Sequence, residues 1–151
     1  MTTVARAFVD TNVLLRSIQA DIPLHIEALA LTARARQDGY ELWVSRQVIR
    51  EYIVQVTRPG VLTIPFDAEQ VAAKVQFIRS AFQIADDTEA VTDKLVELIR
   101  EYPTAGKQIH DANIIATMLV YGIDTLITQK VRDMQRFSSK TRLVPLIANR
   151  I

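Results

Sequence analysis

The sequence predicts an α/β fold in which a mainly parallel sheet of four to five strands is covered by helices on both faces. Short apolar runs such as Ala7-Phe8-Val9 and Leu126-Ile127 alternate with longer stretches whose apolar residues recur at helical spacing. Helical stretches separate the first four runs, as the crossovers between parallel strands require. Asp10, Ser45, Asp86 and Thr128 stand where the runs stop, and right-handed crossovers would gather those ends at one edge. Ligands of open α/β sheets bind beyond that edge.

The first strand ends at Val9, and Asp10-Thr11-Asn12 turns the chain because these side chains bond nearby backbone groups. Leu14 to Ile18 follows, then Asp21-Ile22-Pro23, where a second helix begins. His25 to Gln37 carries Ile26, Leu29, Ala30 and Ala33 at helical spacing, the expected inner face, and Gly39 closes it as a C′ residue. Tyr40 to Val44 is a short strand. Ser45 is the expected N-cap of a third helix with Val48, Ile49, Tyr52, Ile53 and Val56 on its apolar face, stopped by Pro59-Gly60. Asp67 and Gln70 have the spacing of a capping box opening a fourth helix to about Ser80. Phe82 to Ala85 is a third strand. Asp86-Asp87-Thr88 leads into a fifth helix containing Val91, Leu95, Leu98 and Ile99, and Asp86 or Asp87 is its expected cap. Pro103 to Lys107 reads as a loop and Asp111 to Tyr121 as a sixth helix closed by Gly122. Thr125 to Thr128 and Arg142 to Val144 complete the strands. No repeat or linker interrupts the series, so one domain is expected over 1–151.

Composition narrows the function. Half the residues are hydrophobic (49%), which argues against disorder, and 18 basic against 17 acidic residues leave net charge uninformative about a partner. The absence of cysteine excludes disulfides, zinc-thiolate sites and a cysteine nucleophile. The N-terminus lacks signal-peptide character and no apolar run spans a bilayer, so the expectation is a soluble, cytoplasmic protein.

Acids carry the chemistry. Asp10 lies at the default place for a site, or else simply caps the helix after it. Asp111 falls within about 60° of Ile114, Ile115 and Met118 around its helix, which puts a carboxylate on the buried stripe. A helix N-terminus compensates such burial by at most ~2 kcal/mol, and a divalent cation would close the gap. Glu51 lies roughly 130° from the centre of the third helix's apolar face and about 9 Å along it, bordering solvent beside Gln47 and Gln55. Asp133 follows the last well-formed strand as a loop acid or a fourth site carboxylate; Asp124, at the opposite sheet end, is excluded. Two carboxylates ~4 Å apart repel by about 4 kcal/mol at an effective dielectric of about 20, so a cluster persists if it holds a hard cation. Oxygen-only ligands suit Mg²⁺ or Mn²⁺, which serve phosphate chemistry by activating water and stabilising the departing alkoxide.

Four segments in order, Phe8-Val9-Asp10-Thr11-Asn12-Val13-Leu14-Leu15, Ser45 to Glu51, Asp111-Ala112-Asn113-Ile114-Ile115-Ala116 and Leu126-Ile127-Thr128, resemble the PIN-domain ribonucleases over nearly the whole chain. Within that family the chain is most similar to the single-domain VapC-type toxins of toxin–antitoxin pairs. The resemblance implies a three-layer α/β/α fold and a metal-dependent endoribonuclease, held inactive by a small antitoxin. It implies that Asp10, Glu51 and Asp111 are the central acids, with Asp10 and Asp111 binding Mg²⁺ or Mn²⁺ and Glu51 completing the shell or orienting the attacking water. Asn12 and Thr128 match polar positions that orient the first acid. Lys130 departs from the family, which usually has Asn or Asp there. It puts a second metal site in doubt and could instead contact a phosphate, while Asp133 matches a variable acid that takes over part of the role. Arg50 and Lys130 are candidate backbone contacts for RNA, and Arg46 a solvated surface cation.

Two rivals stand beside this reading. A haloacid-dehalogenase-like phosphatase would use Asp10 as nucleophile, but Asn12 stands where it wants a second acid. A PIN-like scaffold that lost catalysis would bind only RNA or a protein, and Lys130 is its best argument. The apolar content of Asp67 to Tyr102 offers a face to a second copy or an antitoxin, and the resemblance favours a homodimer.

Overall fold

The computed structural model describes residues 3–147. Five strands, β1 (Arg6–Val9), β2 (Glu41–Ser45), β3 (Gln83–Ala85), β4 (Thr125–Thr128) and β5 (Arg142–Pro145), form one sheet in the order β3-β2-β1-β4-β5, every pair parallel. Central β1 pairs Phe8 with Trp43 of β2 and with Leu126 of β4. It is buried on both faces, as its apolar run requires.

The helices are α1 (Thr11–Ile18), α2 (His25–Gln37), α3 (Arg46–Thr57), α4 (Ala68–Ala81), α5 (Glu89–Glu101), α6 (Gln108–Val120) and α7 (Val131–Met134). Packing divides them into two groups. α1 lies on α2 and α3, and α3 on α4, whereas α5 lies on α6 and α6 on α7. The strand order steps outward from β1 to β3 and then returns to β4, so right-handed crossovers put the groups on opposite faces. The topological switch point therefore falls between β1 and β4. Because α6 leads into β4, its first turn rather than its last lies at the carboxyl edge of the sheet.

Most expected elements form within a residue or two of their predicted bounds. The Asp67 capping box closes on both sides, with Gln70 N–H donating to Asp67 at 2.8 Å and Asp67 N–H to Gln70 at 2.9 Å. Gly39 and Gly122 take φ of 90° and 67° just past the helices they close. Other expectations need correction. The second helix does not bury Ile26, Leu29, Ala30 and Ala33; it buries Ala28 and Thr32, and Ile26 and Leu29 face out. Burial of Thr32 is possible because its hydroxyl donates to the Ala28 carbonyl at 3.0 Å and is satisfied within the helix. Asp86 and Asp87 do not cap α5. Thr88 does, accepting from the Val91 N–H, while Asp86 and Asp87 form ion pairs with Arg46 (3.0 Å) and Arg50 (3.9 Å). Arg46 is thus exposed but paired. The sixth helix begins at Gln108, three residues before Asp111, after the turn at Gly106-Lys107.

One core contact ties the α1 end to α3. The hydroxyl of Tyr52, wholly buried, donates to the Gln19 side-chain oxygen at 2.7 Å, and Gln19 is itself buried. Tyr52→Phe leaves that oxygen unsatisfied and is expected to cost about 1–3 kcal/mol in urea denaturation, whereas the double variant Tyr52→Phe/Gln19→Leu loses less than the single one. Equal losses in both would show that the pair carries no such penalty.

Candidate active site

Asp10 caps α1 and also stands at the switch point of the sheet, so the two sequence readings of it do not exclude each other. It follows β1 with extended backbone, is 1% exposed, and starts α1 by accepting the Thr11 N–H on Oδ1 at 2.8 Å. Its other oxygen, Oδ2, accepts from the Thr128 hydroxyl at 2.7 Å and from the Asn12 amide at 3.3 Å. Thr128 ends β4, so this bond spans the switch point. Asn12 in turn accepts the Gln129 N–H at 2.9 Å, which fastens the loop after β4 to the loop after β1.

Glu51 enters from α3, which Ser45 caps through the Val48 N–H. Both its oxygens are held, Oε2 by the Thr11 hydroxyl at 3.1 Å and Oε1 by the Gln47 amide at 2.9 Å. Gln47 is the residue that the sequence reading passed over as a solvated neighbour. It is buried, donates also to the His110 carbonyl at 2.9 Å, and accepts from Asn113 at 2.9 Å. Gln47 thus joins α3 to the first turn of α6, which carries Asp111. On a helical wheel it lies roughly 170° from the apolar face of α3, because what covers it is α6 and not the sheet. Only its spacing of one turn before Glu51 hints at this role.

Asp111, with its side chain 13% exposed, receives the Lys130 ammonium on Oδ1 at 3.1 Å. The Lys130 N–H meanwhile donates to the Thr128 hydroxyl oxygen at 2.9 Å. Asp10, Glu51 and Asp111 therefore share one sheet edge and one polar network, with Thr11 between the first two and Lys130 against the third. They do not form a closed cage. Among the described residues, no three acidic or histidine side chains stand close enough together to hold an ion as placed. Asp133 is exposed in α7 and lines the same groove as Lys130 and Asp111, as does Arg50; the groove encloses about 750 Å³.

A family model described as the PIN domain matches residues 7–137. The chain belongs to the PIN-domain family. That membership leaves the dehalogenase-like rival without support. No curated protein matches the sequence. Among solved structures, the fold is similar to VapBC2 from Rickettsia felis bound to a promoter DNA fragment, at TM-score 0.62 and 19% identity over 93% of this chain and 98% of that one. It is similar to a toxin–antitoxin complex from Klebsiella pneumoniae at TM-score 0.64 and 20% identity, covering 93% and 98%. It also resembles Mycobacterium tuberculosis VapC20, a sarcin-ricin loop cleaving toxin, at TM-score 0.60 and 20% identity over 80% and 86%.

Electrostatics at this edge of the PIN domain follow from burial. Burial pushes the Asp10 carboxyl above its ordinary value; the Thr128 hydroxyl, the Lys130 charge and the Thr11 N–H pull it down, Glu51 adds to the rise, and the balance is upward. For Lys130 burial works to discharge the ammonium, but attraction to Asp10, Asp111 and Glu51 outweighs it and holds the ammonium above the usual lysine value. A carboxyl raised in the folded state binds protons more tightly there than in the unfolded chain. Its contribution therefore falls as pH rises from its ordinary value of 3.8 through the raised one. In EDTA, wild type is expected to lose stability relative to Asp10→Asn by up to about 1.4 kcal/mol per pH unit across that window, measured by urea denaturation. A difference independent of pH would contradict the burial argument.

Proposed function

We propose that this PIN domain is a metal-dependent endoribonuclease that hydrolyses RNA phosphodiester bonds, and that a small antitoxin protein holds it inactive. The observation that carries the reading is a buried Asp10 at the switch point, tied through Thr11 to Glu51 and through Thr128 to the backbone of Lys130, whose ammonium rests on Asp111. The donor set suits a hard cation. Asp10, Glu51 and Asp111 offer only oxygen ligands, the chain lacks cysteine, and a cation, the Lys130 ammonium, already rests against Asp111. Asp10, Asp111 and Glu51 would hold Mg²⁺ or Mn²⁺. Such an ion, when bound, offsets charge developing on the scissile phosphate and makes water a better nucleophile.

The remaining roles belong to the chain itself. Thr11, Asn12 and Thr128 hold the Asp10 carboxylate in one orientation by three hydrogen bonds. Glu51, held at both oxygens, completes the metal shell or orients the attacking water. Arg50 and Lys130, which line the groove, contact the RNA backbone, and Asp133 adds a carboxylate on the same wall. The solved toxin–antitoxin complex with this fold supports an antitoxin as partner, and exposed Ile26 (76%), Leu29 and Phe77 supply apolar surface for it or for the second copy of a homodimer. Among the described residues no helix is long and apolar enough to cross a membrane.

Lys130 favours a second reading, a catalytically weakened scaffold that binds RNA or a protein partner, because its ammonium already offsets charge in the cluster. Cleavage assays on purified wild type, Asp10→Asn and Asp111→Asn distinguish the two. The nuclease reading expects RNA cleavage in Mn²⁺ or Mg²⁺ but not EDTA, and a loss on the order of 10³-fold in each variant with circular dichroism unchanged. Full cleavage by a contaminant-checked Asp10→Asn protein would refute it, and an inactive wild type that still binds RNA would establish the scaffold.

A further inference from the structure

We propose that Lys130 is a tethered cation that fills the place of a second metal ion, so that the acid cluster accepts one divalent ion and excludes another. This rests on the nuclease reading above and specifies its metal centre. Paired divalent ions stand about 3.5–4 Å apart in nucleases that use them, each needing carboxylates to offset its charge. Here one of those charges is covalently attached. The Lys130 ammonium lies 3.1 Å from Asp111, and its backbone N–H is bound to the Thr128 hydroxyl, which itself donates to Asp10 at 2.7 Å. The side chain is thus anchored at its root beside one acid and at its tip on another. An ammonium is a compact point charge with three donors and no acceptor, so it can satisfy carboxylates as an ion does but cannot ligate one.

Charge balance points the same way. Within the hydrogen-bonded network Asp10, Glu51 and Asp111 bring three negative charges and Lys130 returns one, while Asp133 and the basic Arg50 and Lys107 line the groove outside that network. The remainder matches one divalent ion, and a second would leave an excess of positive charge in a partly buried place, where charge is poorly screened. Lys130→Asp reverses the sum, since four carboxylates match two divalent ions. Lys130→Asn removes the ammonium without adding a charge.

The test is the number of Mn²⁺ ions bound per chain, read from the loss of the free-ion electron paramagnetic resonance signal and independent of RNA cleavage. Wild type is expected to bind one ion, and Lys130→Asp two. If Lys130→Asp shows no cooperative thermal transition, Lys130→Asn carries the test, with a second site at least tenfold tighter than any in wild type. Two ions in wild type, or one ion in every folded Lys130 variant, would overturn the tethered-cation assignment while leaving the nuclease reading intact. No binding in wild type, unchanged in Asp111→Asn, would refute the nuclease reading itself.

Discussion

The hydrogen bond from the Thr128 hydroxyl to Asp10 joins the ends of two neighbouring strands where the winding of the sheet reverses. Neither strand alone can offer a ligand site, because strands buried on both faces display only their ends. At the β1–β4 seam the helices depart to opposite faces and leave a crevice, and the two polar residues that follow Val9 and Ile127 meet in it. The rest of the site is built outward from this seam. Thr11 carries the network to Glu51, Asn12 fastens the Gln129 loop, and Lys130 reaches from Thr128 to Asp111.

Holding a carboxylate in the core is unfavourable unless donors and charge surround it. Asp10 has three donors, and Lys130 lies close enough to attract it, yet burial still raises its proton affinity. The acids are held apart by their own partners, which limits the repulsion between like charges at this edge. Gln47 and Asn113 contribute by fixing how α3 and α6 face each other, so Glu51 and Asp111 approach the seam from set directions.

Features set by local pattern were legible in the sequence. The apolar runs located all five strands, and the Asp67–Gln70 spacing gave a capping box. Asp10 and Thr128 could be placed at one edge because strand ends in parallel sheets must converge. What escaped depends on contacts between distant segments. The inner face of α2 is inverted because Thr32 satisfies its own hydroxyl and small Ala28 fits inward, while larger Ile26 and Leu29 face out. Gln47 is covered by a helix some sixty residues later, which no helical wheel of α3 contains. Asp86 and Asp87 had cap-like positions, but Thr88 at the next position took that role, leaving both acids to the arginines of α3. Lys130 stood out as a departure from the family pattern, but its contact with Asp111 required the fold.

Diffraction from a crystal soaked in Mn²⁺, with the ion located by its anomalous signal, tests most directly whether this edge is a metal centre. The expected peak lies at the β1–β4 seam with carboxylate oxygens of Asp10 and Asp111 about 2.1 Å away. A peak elsewhere on the molecule, or none at the seam at saturating Mn²⁺, would contradict the central claim that these separated acids act together on one hard cation.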